Sequence, residues 1–214
     1  MVGGGLSKPL IRVLERRPHP PFTGSSGVPR ETALGLPRFR EAVFTGAYPF
    51  AHIRFQQPAF PVEVALEAFN PMIPLDTDDS GLPVALLTYT LTSRASAPLE
   101  AALAFSLMNP VGYDGVTRLR GRRAPFFGQN LNEFRSEADL RGLFLSSQKY
   151  PRDSVRYGSI ALVTTAEDVT CRLAWEHGAW WDEFQKWWDE FAERGRFSGA
   201  PSKPSEDGAT EYAT

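Results

Sequence analysis

Acidic side chains are the first place to look for chemistry in this sequence. A general acid and a nucleophile or base held about 5 to 9.5 Å apart can cleave a glycosidic bond. Glu63, Glu67, Asp114, Glu133 and Glu137 are available for such a pair. Spacing brings no two of them together, however. Glu63 and Glu67 share one face of a strand, where carboxylates ordinarily meet water. Asp76-Thr-Asp78-Asp79-Ser80-Gly81 opens like a calcium loop, with oxygen donors at the first, third and fifth positions and glycine at the sixth. The twelfth position, which should be a bidentate Glu, is Leu87, and strands flank the segment, so the expectation is a solvated acidic turn. His19, His52 and His177 stand apart without a second ligand at helical or hairpin spacing, and no metal site is expected. Cys171 is the single cysteine, which excludes an internal disulfide and reads as a small buried hydrophobe. Neither a Gly-x-Ser-x-Gly elbow nor a phosphate-cradling glycine loop occurs. Arg118, Arg120, Arg122 and Arg123 form a basic run that suits an anion, or more simply solvent and a partner domain. The tryptophans near residues 180–188 could stack on sugar rings, although aromatic side chains at helical spacing usually pack.

The elements that must position these residues are mostly strands. Eighteen glycines and eighteen prolines in 214 residues punctuate the chain too often for a helical bundle. Ala51, Ile53 and Phe55 alternate with His52 and Arg54, and Val62, Val64, Leu66 and Ala68 with Glu63 and Glu67. This is the period of a strand with one apolar face. Ala85, Leu87, Tyr89 and Leu91 continue the pattern against Thr88, Thr90 and Thr92. The turn Ser93 to Pro98 then leads to Leu99, Ala101, Leu103, Phe105 and Leu107, which predicts a hairpin. Residues 109–141 read as a long irregular loop of the kind that is often functional or interface-forming. Strand signals return at Leu143 to Ser146, Ile160 to Thr165 and Val169 to Trp175. Trp180, Phe184, Trp187, Trp188 and Phe191 fall at helical spacing, with Asp182 and Glu183 at the start and Arg194-Gly195 at the stop.

These patterns predict a mainly β chain: an antiparallel β-sandwich with one amphipathic helix near its C-terminus. Its parts are an irregular segment over 1–36 that begins the sandwich, the sandwich over 37–176, the aromatic helix over 177–196, and a disordered tail or linker over 197–214. A net charge of −2 excludes the basic excess of a nucleic-acid binder. No apolar run long enough for a membrane span or a signal h-region is present, so the expected compartment is the cytoplasm.

Four segments carry a resemblance. They are Phe44-Thr-Gly-Ala-Tyr48-Pro49-Phe-Ala-His-Ile-Arg-Phe; Pro61-Val-Glu-Val-Ala-Leu-Glu67-Ala-Phe69-Asn-Pro71-Met-Ile-Pro74-Leu-Asp76; Leu82-Pro83-Val; and Leu107-Met-Asn109-Pro-Val-Gly112. Together they resemble the N-terminal domain of glycoside hydrolase family 116, over roughly residues 37–195. That family includes bacterial β-glucosidases and the non-lysosomal glucosylceramidase of animals. The resemblance implies a supersandwich-like domain packed on a C-terminal (α/α)6 barrel, and it is the barrel that carries the nucleophilic Glu and the acid Asp. Neither falls on a position of this sequence, which also lacks a Gly-Gly-Ile-Gly-type opening and the last strands, so an incomplete sandwich is expected. The implied function is a non-catalytic part of a β-glucosidase-like hydrolase, with no catalytic residues, cofactor or metal of its own. Its partner would be the barrel, and a β-glucoside would be met only through it. Asn109, Phe127, Asn130, Trp180, Trp181, Trp187 and Trp188 are the candidate residues of the interdomain face. Two other readings stay open: a free-standing carbohydrate-binding sandwich, and a subunit that pairs with a separately encoded barrel.

Overall fold

The computed structural model describes residues 1–6, 8–19, 35–116, 129–175, 182–198 and 212–214. It is mainly β, with antiparallel sheets and one helix near the C-terminus. The chain divides into two compact units, Met1–Ala101 and Ala102–Thr214.

In the first unit a four-stranded antiparallel sheet runs β4 (Glu41–Ala47), β5 (Phe50–Gln56), β6 (Val62–Phe69) and β7 (Leu86–Ser93), in that spatial order. Strand period decides what each face carries. Phe55, Val62 and Val64 lie buried on one face, with Ala42, Ile53, Leu66 and Tyr89 beside them. Short strands cover this face: β1 (Val2–Gly4), β2 (Val13–Arg16), β3 (Arg38–Phe39) and β8 (Leu99–Ala101). They contribute Val2, Leu14, Phe39 and Leu99 to the same core. Two sheet layers around one apolar core are a sandwich. The acidic turn is a single helical turn, α1 (Thr77–Ser80), whose N-cap is Asp76. The Asp76 Oδ1 accepts the amides of Asp78 at 3.1 Å and Asp79 at 2.9 Å, so this carboxylate caps a helix.

The hairpin expected from the rows at 85–107 does not form. β7 pairs with β6, and β8 pairs with β1 through Val2↔Ala101 and Gly4↔Leu99. Gly4 explains the choice. A Cβ there would stand 2.9 Å from the Glu100 amide nitrogen, so the glycine lets β1 approach β8 as only a bare backbone can. A segment some ninety residues away thus outcompetes the neighbouring run, because pairing depends on which surfaces the core brings together.

In the second unit β10 (Asn130–Glu137), β11 (Leu140–Ser147) and β12 (Ile160–Thr164) form an antiparallel sheet with β11 central. Leu143, Leu145, Cys171 and Leu173 form its core, with Leu107, Phe134 and Leu162 packed against them. Residues 109–141 were expected to be irregular, yet β10 begins at Asn130. The strand escapes period reading because two of its inward positions, Asn130 and Asn132, hold asparagine where an apolar residue would ordinarily mark the face. Val169 to Trp175 forms no strand, although its inward residues Cys171 and Leu173 do reach the core. Among the described residues it makes a ladder-like contact with Thr214 through Arg172. The tail expected over 197–214 starts with a buried Phe197 and finishes as β13 (Tyr212–Ala213), paired with β9 (Leu107–Met108).

The helix α2 (Asp182–Arg194) lies within the span read from its aromatic spacing. Arg172 on the core segment pairs with Glu190 on α2, and Glu190 Oε1 also accepts the Ser198 amide at 2.7 Å and hydroxyl at 2.6 Å. Burial pushes the Glu190 carboxyl up, but Ser198 and the Arg172 and Arg194 guanidinium groups outweigh it and hold the group below its usual value. The sign follows from linkage. A depressed folded pKa contributes stability that is complete above the unfolded carboxyl value of about 4.3 and is lost as pH falls through the folded value. Glu190→Gln is therefore expected to flatten the acid limb of a urea-stability versus pH curve below about pH 4.3. An acid limb as steep as the native one would refute this account of the pair.

Candidate functional site

Polar residues converge on the outer face of the four-stranded sheet. Register sets them in rows across β4 to β7: Ala47, Phe50, Phe69, Leu86; then Thr45, His52, Glu67, Thr88; then Val43, Arg54, Ala65, Thr90. Beyond these, Glu41 faces Gln56 and Glu63 faces Thr92. A groove of about 580 Å³ opens here, lined among others by Arg54, Gln56, Glu63, Ala65, Thr90, Thr92 and Arg94. Ala65 makes the depth: it is the one small side chain of its row, standing between Arg54 and Thr90. Acidic side chains with basic neighbours flank that row. His52 Nδ1 lies 3.6 Å from Glu67, and Arg94 pairs with Glu63. Among the described residues no hydrogen bond or ion pair reaches the Arg54 guanidinium. At the far end Phe50 stacks on His52 at 6.3 Å and meets Phe69 at 5.0 Å, with 40% of its surface exposed.

Of the other acids considered for catalysis, Glu137 is exposed at the end of β10, and two are engaged locally. Glu133 pairs with Arg135 at 2.6 Å, and the Asp114 Oδ1 accepts the Val116 amide at 2.9 Å. Glu63 and Glu67 are about half exposed, as expected for the outer face of β6. Among the described residues no group of three His, Cys, Asp or Glu is placed to hold a metal. Cys171 is buried, which pushes its thiol up to about 11 and keeps it protonated and inert at neutral pH.

The residues proposed for an interdomain face fall in three places. Asn109 and Asn130 are buried and tie together the two ends of the loop between β9 and β10. The Asn109 amide donates to Asn132 Oδ1 at 2.7 Å and to the Ser146 carbonyl at 3.1 Å, while its Oδ1 accepts the Val111 amide at 3.0 Å. Asn130 donates to the Val111 carbonyl at 2.7 Å, and Asn132 donates to the Leu173 carbonyl at 2.8 Å. Every one of these bonds lies within the second unit. Trp187 is buried among Trp175, Phe191 and Phe197, with ring centroids 5.4 to 5.8 Å away. Its indole donates to Thr214 Oγ1 at 2.9 Å, as Trp175 does at 3.0 Å. Both lone pairs of that hydroxyl are then occupied, so its proton goes to Ser106, 2.8 Å away. Trp188 is half-buried on the neighbouring face of α2. Phe127, Trp180 and Trp181, like the Arg118 to Arg123 run, lie outside the described residues.

A family model described as beta-glucosidase 2, glycosyl-hydrolase family 116 N-term, matches residues 7–214. The chain belongs to that family. No curated protein sequence matches it. As a family 116 N-terminal domain it places its polar groove on the outward sheet face, where period-two alternation already set Arg54 apart from Ile53 and Phe55. What the alternation could not supply was the cross-strand register that sets Thr90, Thr92 and Arg94 beside them. No helix among the described residues is long and apolar enough to cross a membrane.

Proposed function

We propose that this chain is a non-catalytic positioning domain of a β-glucosidase- or glucosylceramidase-like enzyme, which docks an (α/α)6 catalytic barrel. One observation carries the reading: one edge strand of each main sheet exposes apolar side chains. Leu86, Leu87 and Leu91 on β7 are 41–43% exposed, with Leu82 and Val84 just before it at 47%. Ile160 and Val163 do the same on β12, with Tyr157 close by. Uncovered apolar edges are an aggregation hazard that proteins ordinarily mask, so a partner that covers them is the economical explanation. Trp188 would add to the docking face of the second unit, and Phe127, Trp180 and Trp181 are assigned to that unit's docking face as well. Asn109, Asn130 and Trp187 would hold it in shape from beneath. Hydrolysis would proceed on the barrel, without cofactor, through a covalent glycosyl-enzyme.

Co-expression with a family 116 barrel tests this. The chain alone should bind a hydrophobic dye and leave an aryl β-glucoside intact, and the co-purified pair should lose most of the dye signal. Turnover by the chain alone, abolished by replacing one of its own carboxylates, would overturn the proposal. So would a monodisperse chain that ignores both dye and barrel.

A further inference from the structure

We infer that the groove on the outer face of the β4–β7 sheet is a binding site for a neutral oligosaccharide. The outward face of an antiparallel sheet is ordinarily a solvated polar surface, and three features set this one apart. First, its volume of about 580 Å³ falls among ligand sites, for which about 300 to 1,000 Å³ is usual. Second, the groove is floored by Ala65, with the Glu63–Arg94 ion pair in its lining. Third, Arg54 rises from the central row with no partner among the described residues, its fork of donors open to the groove.

The chemistry on offer selects a polyol. Thr90, Thr92 and Gln56 each donate and accept, as sugar hydroxyls require. A guanidinium fork matches two adjacent hydroxyls as it matches two carboxylate oxygens. Of the charged lining residues Arg40 lies 4.0 Å from Glu41 and Arg94 pairs with Glu63, so among the described residues Arg54 supplies the uncompensated charge, and the test sets an anionic oligomer against a neutral one. Phe50 stands four residues along β5 from Arg54, about 13 Å away on the same face. Its exposed ring offers a stacking platform on that face, outside the groove's own lining. Choosing a glucose-based probe rests on the family reading above; the position of the site does not.

Calorimetric titration of the full chain with cellotetraose tests the inference, alongside Arg54→Ala, Phe50→Ala and Ala65→Tyr. Arg54 has no partner to lose, so its variant should melt like the native chain while binding cellotetraose at least tenfold more weakly. Ala65→Tyr should abolish binding by filling the floor, and Phe50→Ala should weaken it severalfold. Native affinity in Arg54→Ala, no binding by the native chain, or tighter binding of galacturonate oligomers than of cellotetraose would each overturn it. Barrel docking is read by dye and turnover and not by this titration, so either idea can fail while the other stands.

Discussion

Replacing Phe39 by Ala is expected to cost the first unit about 3 to 5 kcal/mol, the range for emptying a buried phenylalanine site. Phe39 is 1% exposed and sits on the two-residue strand β3, between the short covering strands and the main sheet. Its ring meets Phe55 at 5.4 Å and Phe60 edge-on at 5.2 Å. The site cannot collapse easily. Phe55 is held in β5 by ladders on both sides, and Arg38 next to Phe39 is anchored to Glu15 at 2.6 Å. The cavity should therefore persist, and its lining lose contacts outright. Urea unfolding followed by circular dichroism should show the midpoint fall with little change in slope. Phe44, on β4 of the main sheet and 66% exposed, is the control, and its Ala variant should stay within about 0.5 kcal/mol. Equal losses in the two variants would show that the core does not lie between these layers.

Gly142→Ala is the second large effect, and its cause is contact with backbone. Gly142 lies on β11, opposite Val163 of β12 and Arg135 of β10, at φ +154°. A Cβ there would stand 2.1 Å from the Leu162 carbonyl oxygen and 2.9 Å from the Val163 Cα. Neither atom is the end of a flexible side chain, so β11 and β12 would have to part. Overpacking and backbone strain together put the cost at about 3 kcal/mol or more. Amide exchange is the direct readout. The β12 amides should lose protection first, followed by the core contacts of Leu143 and Leu145. A variant that keeps native protection across β11 and β12 would contradict the register Gly142↔Val163.

Much of this architecture was written into local pattern. Period two placed β5, β6 and β7 and told their faces apart, because a strand alternates its side chains whatever it pairs with. Aromatic residues at helical spacing placed α2 for the same reason. Asp76, Asp78 and Asp79 promised an acidic turn, and a capped turn is what they build. The same signal is silent where the inside of a sheet is polar. β10 buries Asn130 and Asn132, and nothing in the order of its residues announces that Asn109, Val111 and Leu173 will satisfy them.

Which strand lies beside which was the work of tertiary structure alone. Hydrogen-bond ladders are indifferent to side-chain order, so β8 takes a glycine-bearing partner from the start of the chain over its neighbour β7. The groove has the same origin. Arg54, Ala65 and Thr90 are eleven and twenty-five residues apart by number and become one row only through register. Sequence determined the class of fold and the polarity of the faces of β5, β6 and β7, because these follow from period and composition, and four segments in the order of their residues carried the family. The site had to wait for pairing, because a binding surface is made of residues that only the completed sheet places side by side.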